Sequence, residues 1–263
     1  MKRLRSRKFC AALVIIAWVA TLAAFWGMQD AARRAIAPPQ TAPAPLKAAC
    51  TSTDLEGLGI QLEMASSAED AKNLLTGEPV RADCIRRGMA AQVRADYLFI
   101  PAYSGLVLAL FLFVRSFWIT PPRERKPWAS ALLILGVVLA AAMMTGDVIE
   151  NLHLTSMIDL AARNHSLPND AFDRLVLVGR LKWGALAASA FLLALAWASD
   201  SWQRLAWVLR LLGFAAAALF IAGLATTQSE LVKAGLPVLF GFWLTALIHA
   251  IAVAVETKSG GTT

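Results

Sequence analysis

Apolar residues fall along this chain in six long runs, at 9–28, 97–118, 128–145, 181–199, 205–226 and 236–255. Each is 18–22 residues long. A helix rises about 1.5 Å per residue, so about 20 residues cross a hydrocarbon core about 30 Å thick. None of the runs alternates with the period of two that marks a barrel strand. The pattern predicts an all-α fold, a polytopic membrane helix bundle of about six transmembrane helices.

The polar stretches between these runs set the organisation. Residues 1–8 form a basic start, and 9–28 reads as an uncleaved signal anchor, because the run exceeds the roughly 7–15 residues of a signal-peptide core and no small-x-small site follows it. Residues 29–96 form one large loop. Pro38, Pro39, Pro43 and Pro45 make its first part a stiff spacer. Leu58, Ile60, Leu62 and Met64 then alternate with smaller or polar residues, which predicts a short strand or extended segment. Ser67, with Asp70 three residues on, opens a short helix that Gly77 stops. From Arg81 the pattern is helical and runs into the second span, and the loop is expected to pack over the ends of the helices. Residues 97–199 hold spans two to four, 205–255 the last two, and 256–263 a tail. No internal repeat is visible.

Composition agrees with the pattern. The chain is 58% hydrophobic and 16% charged, against about 45–50% and about 25% for soluble domains. Its net charge of +7 is unevenly placed. With the amino terminus inside, the inner segments carry +9 and the outer ones −2. Lys2, Arg3, Arg5, Arg7 and Lys8, together with Arg123, Arg125 and Lys126, then put both termini in the cytoplasm of a bacterial inner membrane. Trp118, Trp128, Trp197, Trp202 and Trp207 would form the inner aromatic belt and Trp26 and Trp183 the outer one, with Trp18 and Trp243 mid-span. The basic excess suggests contact with anionic lipid rather than nucleic acid. Small residues at 215–218, with Gly213 and Gly223, suit close helix packing within one chain or in a homo-oligomer. Cys10 begins the first span. Cys50 and Cys84 share the outer loop, where they would either bridge or remain unpaired.

Near-membrane charge concentrates at one end. Asp96 and Tyr103 flank the start of the second span, and Asp147, Glu150, Asn151 and His153 follow the third. On a helix Asp147, Glu150 and Asn151 stand at i, i+3 and i+4 and share a face, with His153 about 60° beyond Glu150. Arg180 and Lys182 arrive at the same end as the fourth span begins. Four uses suit this set. The carboxylates can pair with Arg180 or Lys182 as interhelical packing. They can line a pocket for a lipid headgroup or a cationic small molecule. Asp147, Glu150 and His153, with Asp96, can be metal ligands of an intramembrane hydrolase, although no His-Glu-x-x-His spacing is present. A small proton- or ion-coupled carrier is the fourth use, weakened by the lack of a repeat and of a midplane charge. His249, in the opposite half of the sixth span, is expected to bond within the bundle, for instance with Thr245. Asp159, His165, Asp170 and Asp173 lie in the loop before the fourth span, with Asp170 and Asp173 placed to cap its helix. Phosphate loops, dinucleotide fingerprints, Cys-x-x-Cys and Gly-x-Ser-x-Gly elbows are absent, and no cofactor is predicted.

The runs Asp96-Tyr97-Leu98-Phe99-Ile100-Pro101-Ala102-Tyr103, Gly146-Asp147-Val148-Ile149-Glu150-Asn151 and Arg180-Leu181-Lys182-Trp183 together resemble a group of uncharacterised bacterial multi-pass membrane proteins, over about residues 58–199. The resemblance implies that the three runs belong to one helical core and carries no activity. A non-enzymatic binding or assembly role is therefore the leading expectation, with a metal-dependent intramembrane hydrolase or small carrier as the alternative.

Overall fold

The computed structural model describes residues 2–37, 55, 58–76, 79–119, 128–163, 168–197 and 202–256. Within them the elements are α1 (Lys2–Ile36), α2 (Leu58–Glu63), α3 (Ala68–Thr76), α4 (Pro79–Trp118), α5 (Trp128–Ala162), α6 (Asn169–Ala196), α7 (Gln203–Thr226) and α8 (Ser229–Val255). Six of these helices are long and apolar enough to cross a membrane, as a multi-pass membrane protein requires. They close into a ring: α1 packs on α4 and α8, α4 on α5, α5 on α6, α6 on α7, and α7 on α8.

The helices outrun the apolar stretches that predict them. At about 1.5 Å per residue, the 40 residues of α4 and the 35 of α5 exceed a hydrocarbon core of about 30 Å by about 20 Å or more. Both extensions lie at one end, the distal end, opposite the start of α1. A second apolar core forms there. Leu58 and Leu62 of α2 and Ala71 and Leu75 of α3 pack with Met89 and Val93 of α4, Leu154 and Met157 of α5, and Phe172 and Leu175 of α6. The segment 58–76 thus caps the distal end.

Local chemistry explains the short elements. The expected extended segment at 58–64 is instead the helix α2 with its closing turn. Leu58 and Leu62 stand four residues apart, share a helical face and are both buried, and among the described residues no strand is present to pair with them. At the start of α3 the Asp70 amide donates to Ser67 Oγ at 3.1 Å, and the Ser67 hydroxyl donates to Asp70 Oδ2 at 2.9 Å. The Ser66 and Ser67 hydroxyls beside Asp70 hold its carboxyl below the usual carboxylate range. The helix ends at Thr76; Gly77, the proline spacer and His165 lie outside the described residues. α6 starts differently from expectation. Pro168 occupies the cap position without a side-chain cap bond, and Asp170 pairs instead with Arg174 at 3.7 Å on the surface. Asp159 is exposed within α5, and Asp173 is exposed in α6.

Two expected belt tryptophans are interior. Trp183 is 7% exposed and Trp197 fully buried, because each indole N–H finds a protein acceptor, Glu63 and His249 respectively. Between α7 and α8 the chain reverses at Thr227, whose φ of 55° is left-handed, and the next amide, Gln228, donates back to the Gly223 carbonyl at 3.0 Å.

Candidate functional site

The helical period of α5 places Asp147, Glu150 and Asn151 on one face, and all three are buried against the neighbouring helices. α6 contributes Lys182. Its ammonium stands 3.1 Å from Asp147 Oδ1, 2.5 Å from Glu150 Oε2 and 3.3 Å from Oε1 of Glu63. An ammonium has three donors and no acceptor, so one lysine meets three carboxylates, from α5 and from the cap helix α2. It also lies 4.7 Å from the centroid of the neighbouring Trp183 ring, a cation–π contact.

A shell of neutral donors completes the network. The Trp183 indole N–H donates to Glu63 Oε2, and the Tyr103 hydroxyl donates to Asp147 Oδ2. The Asn151 amide donates to Asp96 Oδ2 at 2.8 Å, joining α5 to α4. Tyr103 is itself held by Phe99 one turn away, with ring centroids 5.1 Å apart. Isolated buried ions cost several kcal/mol each, so charges in such a position must be paired and hydrogen-bonded to one another.

Two glycines make the approach geometrically possible. A Cβ built on Gly179 would stand 2.9 Å from Glu63 Oε2 and 3.2 Å from Glu63 Cβ and Cγ. The missing side chain is the recess that receives Glu63. A Cβ on Gly146 would lie 3.4 Å from Lys182 Cβ and 3.7 Å from its Cα, so Gly146 brings α5 close to the α6 backbone.

Tyr103, Asp147, Glu150 and Lys182 therefore meet in one network, with the Asp96–Asn151 pair as a second link between α4 and α5, whereas two other candidates stay outside both. Arg180 is exposed, because residues two apart on a helix point about 200° apart and Lys182 takes the inward direction. His153 is half-buried and makes none of the bonds of the network. Glu63 and Trp183 were not among the sequence candidates. A lone glutamate closing a short turn in a loop gives no local signal, and Trp183 reads as an interfacial anchor until Glu63 is placed beside it.

Among the described residues no group of three or more His, Cys, Asp and Glu is arranged to hold a metal ion, and Lys182 fills the space between Asp147 and Glu150. The network links α2, α4, α5 and α6, which suits it to fixing those elements in register.

A separate polar contact lies in the other half of the bundle. His249 is fully buried and accepts the Trp197 indole N–H on Nδ1 at 3.1 Å, while Phe117 stacks on its ring at 5.4 Å. Thr245, the expected partner, donates instead to Gly241 of its own helix at 2.7 Å. Backbone acceptors dominate nearby: Arg210 Nη2 donates to the Trp197 carbonyl at 2.7 Å and Trp118 Nε1 to the Ala196 carbonyl at 2.8 Å. Cys10 is a free thiol and Cys84 is disulfide-bonded; the remaining cysteine, Cys50, lies outside the described residues.

Comparison with protein-family models, with curated proteins and with solved structures finds no match to this chain.

Proposed function

We propose that this integral membrane protein has a non-enzymatic binding or assembly role, in which the Lys182 network clamps the 58–76 cap onto the bundle and presents it as a recognition platform. The observation that carries the reading is the origin of the third carboxylate. Glu63 belongs to the cap, yet it is 2% exposed and bonded to Lys182 and Trp183 of α6. A cation position filled by the protein's own lysine fits a clamp better than a vacant pocket. Lipid, another protein or a second copy of this chain would then be met by the outer surface of the cap and bundle. In this reading the chain resides in a bacterial inner membrane with both termini in the cytoplasm and the cap outside, as the placement of basic residues suggests. The resemblance of the three sequence runs supports treating the spans around the network as one core.

Native mass spectrometry of the gently purified protein beside its Glu150→Gln variant tests this. The clamp predicts a protein carrying lipid alone and a variant of lowered thermal stability. A metal or small molecule bound to the parent and missing from an equally stable variant would overturn it in favour of a ligand site.

A further inference from the structure

The network contains more acid than base. Lys182 of α6 holds Glu63 of α2 together with Asp147 and Glu150 of α5, Tyr103 of α4 is bonded to Asp147, and Asp96 of α4 is bonded to Asn151. Half-buried His153 lies further along α5. On the other elements packed against α2, α3 turns Glu69 and Asp70 to solvent and leaves Lys72 half-buried, while Glu230 and Lys233 of α8 pair with each other at 2.7 Å. One ammonium thus serves three buried carboxyls. Glu63 Oε1 and Glu150 Oε2 share the one Lys182 ammonium, at 3.3 and 2.5 Å. Glu150 Oε2 is buried without an in-line hydrogen bond, although Lys182 Nζ stands 2.5 Å away.

We propose that docking of the 58–76 cap takes up a proton, held by the Glu63, Asp147 and Glu150 set beside Lys182, so that the cap is a proton-linked latch. The inference rests on the clamp reading and adds its regulation. When the cap is away, Lys182 faces two carboxyls and Glu63 is hydrated. Docking inserts a third carboxyl into the recess over Gly179, where a further uncompensated negative charge is strongly disfavoured. A proton shared by the set removes that charge. The proton belongs to the set rather than to any one residue. Linkage then fixes the sign: the docked state binds more protons, so docking strengthens as pH falls and weakens as pH rises.

Hydrogen-exchange protection of the α2 and α3 amides in lipid nanodiscs, corrected for intrinsic exchange and followed from pH 5 to pH 9, reads this directly. Protection in the parent protein should fall with rising pH, by up to about tenfold per unit for one proton. In Glu63→Gln and in Glu150→Gln, where one carboxyl of the set is gone, it should become flat, at a level below the parent's at pH 5 because the amide also gives up its ion pair with Lys182. Should Glu63→Gln fail to dock, Glu150→Gln decides the question. Protection that is flat or rises with pH in the parent, or a fall that persists undiminished in the variants, would overturn the latch. Protection unchanged by Lys182→Met would overturn the clamp itself, whereas a pH-independent cap that Lys182→Met still releases would remove the proton linkage alone.

Discussion

Replacing Lys182 by Met probes the network most severely. Methionine keeps much of the length and apolar stem of lysine but removes the one cation that Glu63, Asp147 and Glu150 share. Their side chains are 3%, 9% and 6% exposed, so water cannot take over the role of the ammonium. Breaking a buried ion pair from one side costs about 3–5 kcal/mol. For chains of about this length each kcal/mol moves a melting temperature by about 2–4 °C, so a fall of about 6–20 °C is expected. Thermal unfolding in one fixed detergent, followed by tryptophan fluorescence, measures it, and Trp183 lies within the network as a local reporter. Neutralising the acids as well, in Lys182→Met with Glu63→Gln and Glu150→Gln, should recover part of the loss, because the penalty belongs to the stranded charges. Arg180→Met, at an exposed position, should stay within about 0.5 kcal/mol of the parent. A Lys182→Met protein as stable as the Arg180→Met control, or a triple variant with no recovery, would refute the view that these groups sustain one another.

Three further outcomes follow from single contacts. Tyr103→Phe keeps the ring against Phe99 but deletes the hydroxyl on Asp147, so it should cost about 1.5–3 kcal/mol, the usual worth of a hydrogen bond to a charged group, measured in the same thermal assay. Gly179→Ala puts a methyl group 2.9 Å from Glu63 Oε2; limited proteolysis should show faster cleavage within 58–76 while cleavage around the other helices is unchanged. Non-reducing electrophoresis should show a mobility shift on reduction that Cys84→Ser abolishes and Cys10→Ser preserves, since Cys84 is disulfide-bonded and Cys10 is free.

Local rules made half of the network legible. Asp147, Glu150 and Asn151 share a face because a helix turns about 100° per residue, and that is fixed wherever α5 forms. Asp96 and Lys182 reach the same end because successive spans must reverse direction. The choice between Arg180 and Lys182 depends on the rotation of α6 about its own axis, which is set by packing against α5 and α7. Glycines 146 and 179 similarly show their purpose only when another element occupies the missing volume.

The order of residues alone dictated six membrane-length helices, since lipid offers no hydrogen bonds and only long apolar segments with internally satisfied backbones can cross it. It also determined which end of the bundle would hold the charge. That Glu63 enters that charge, and that the loop carrying it becomes a helical cap, emerged from packing. Glu63 and Lys182 are 119 residues apart in the chain, and their meeting depends on the apolar core formed by α2, α3, α4, α5 and α6 together. No local pattern encodes a contact whose position is fixed by five elements packing at once.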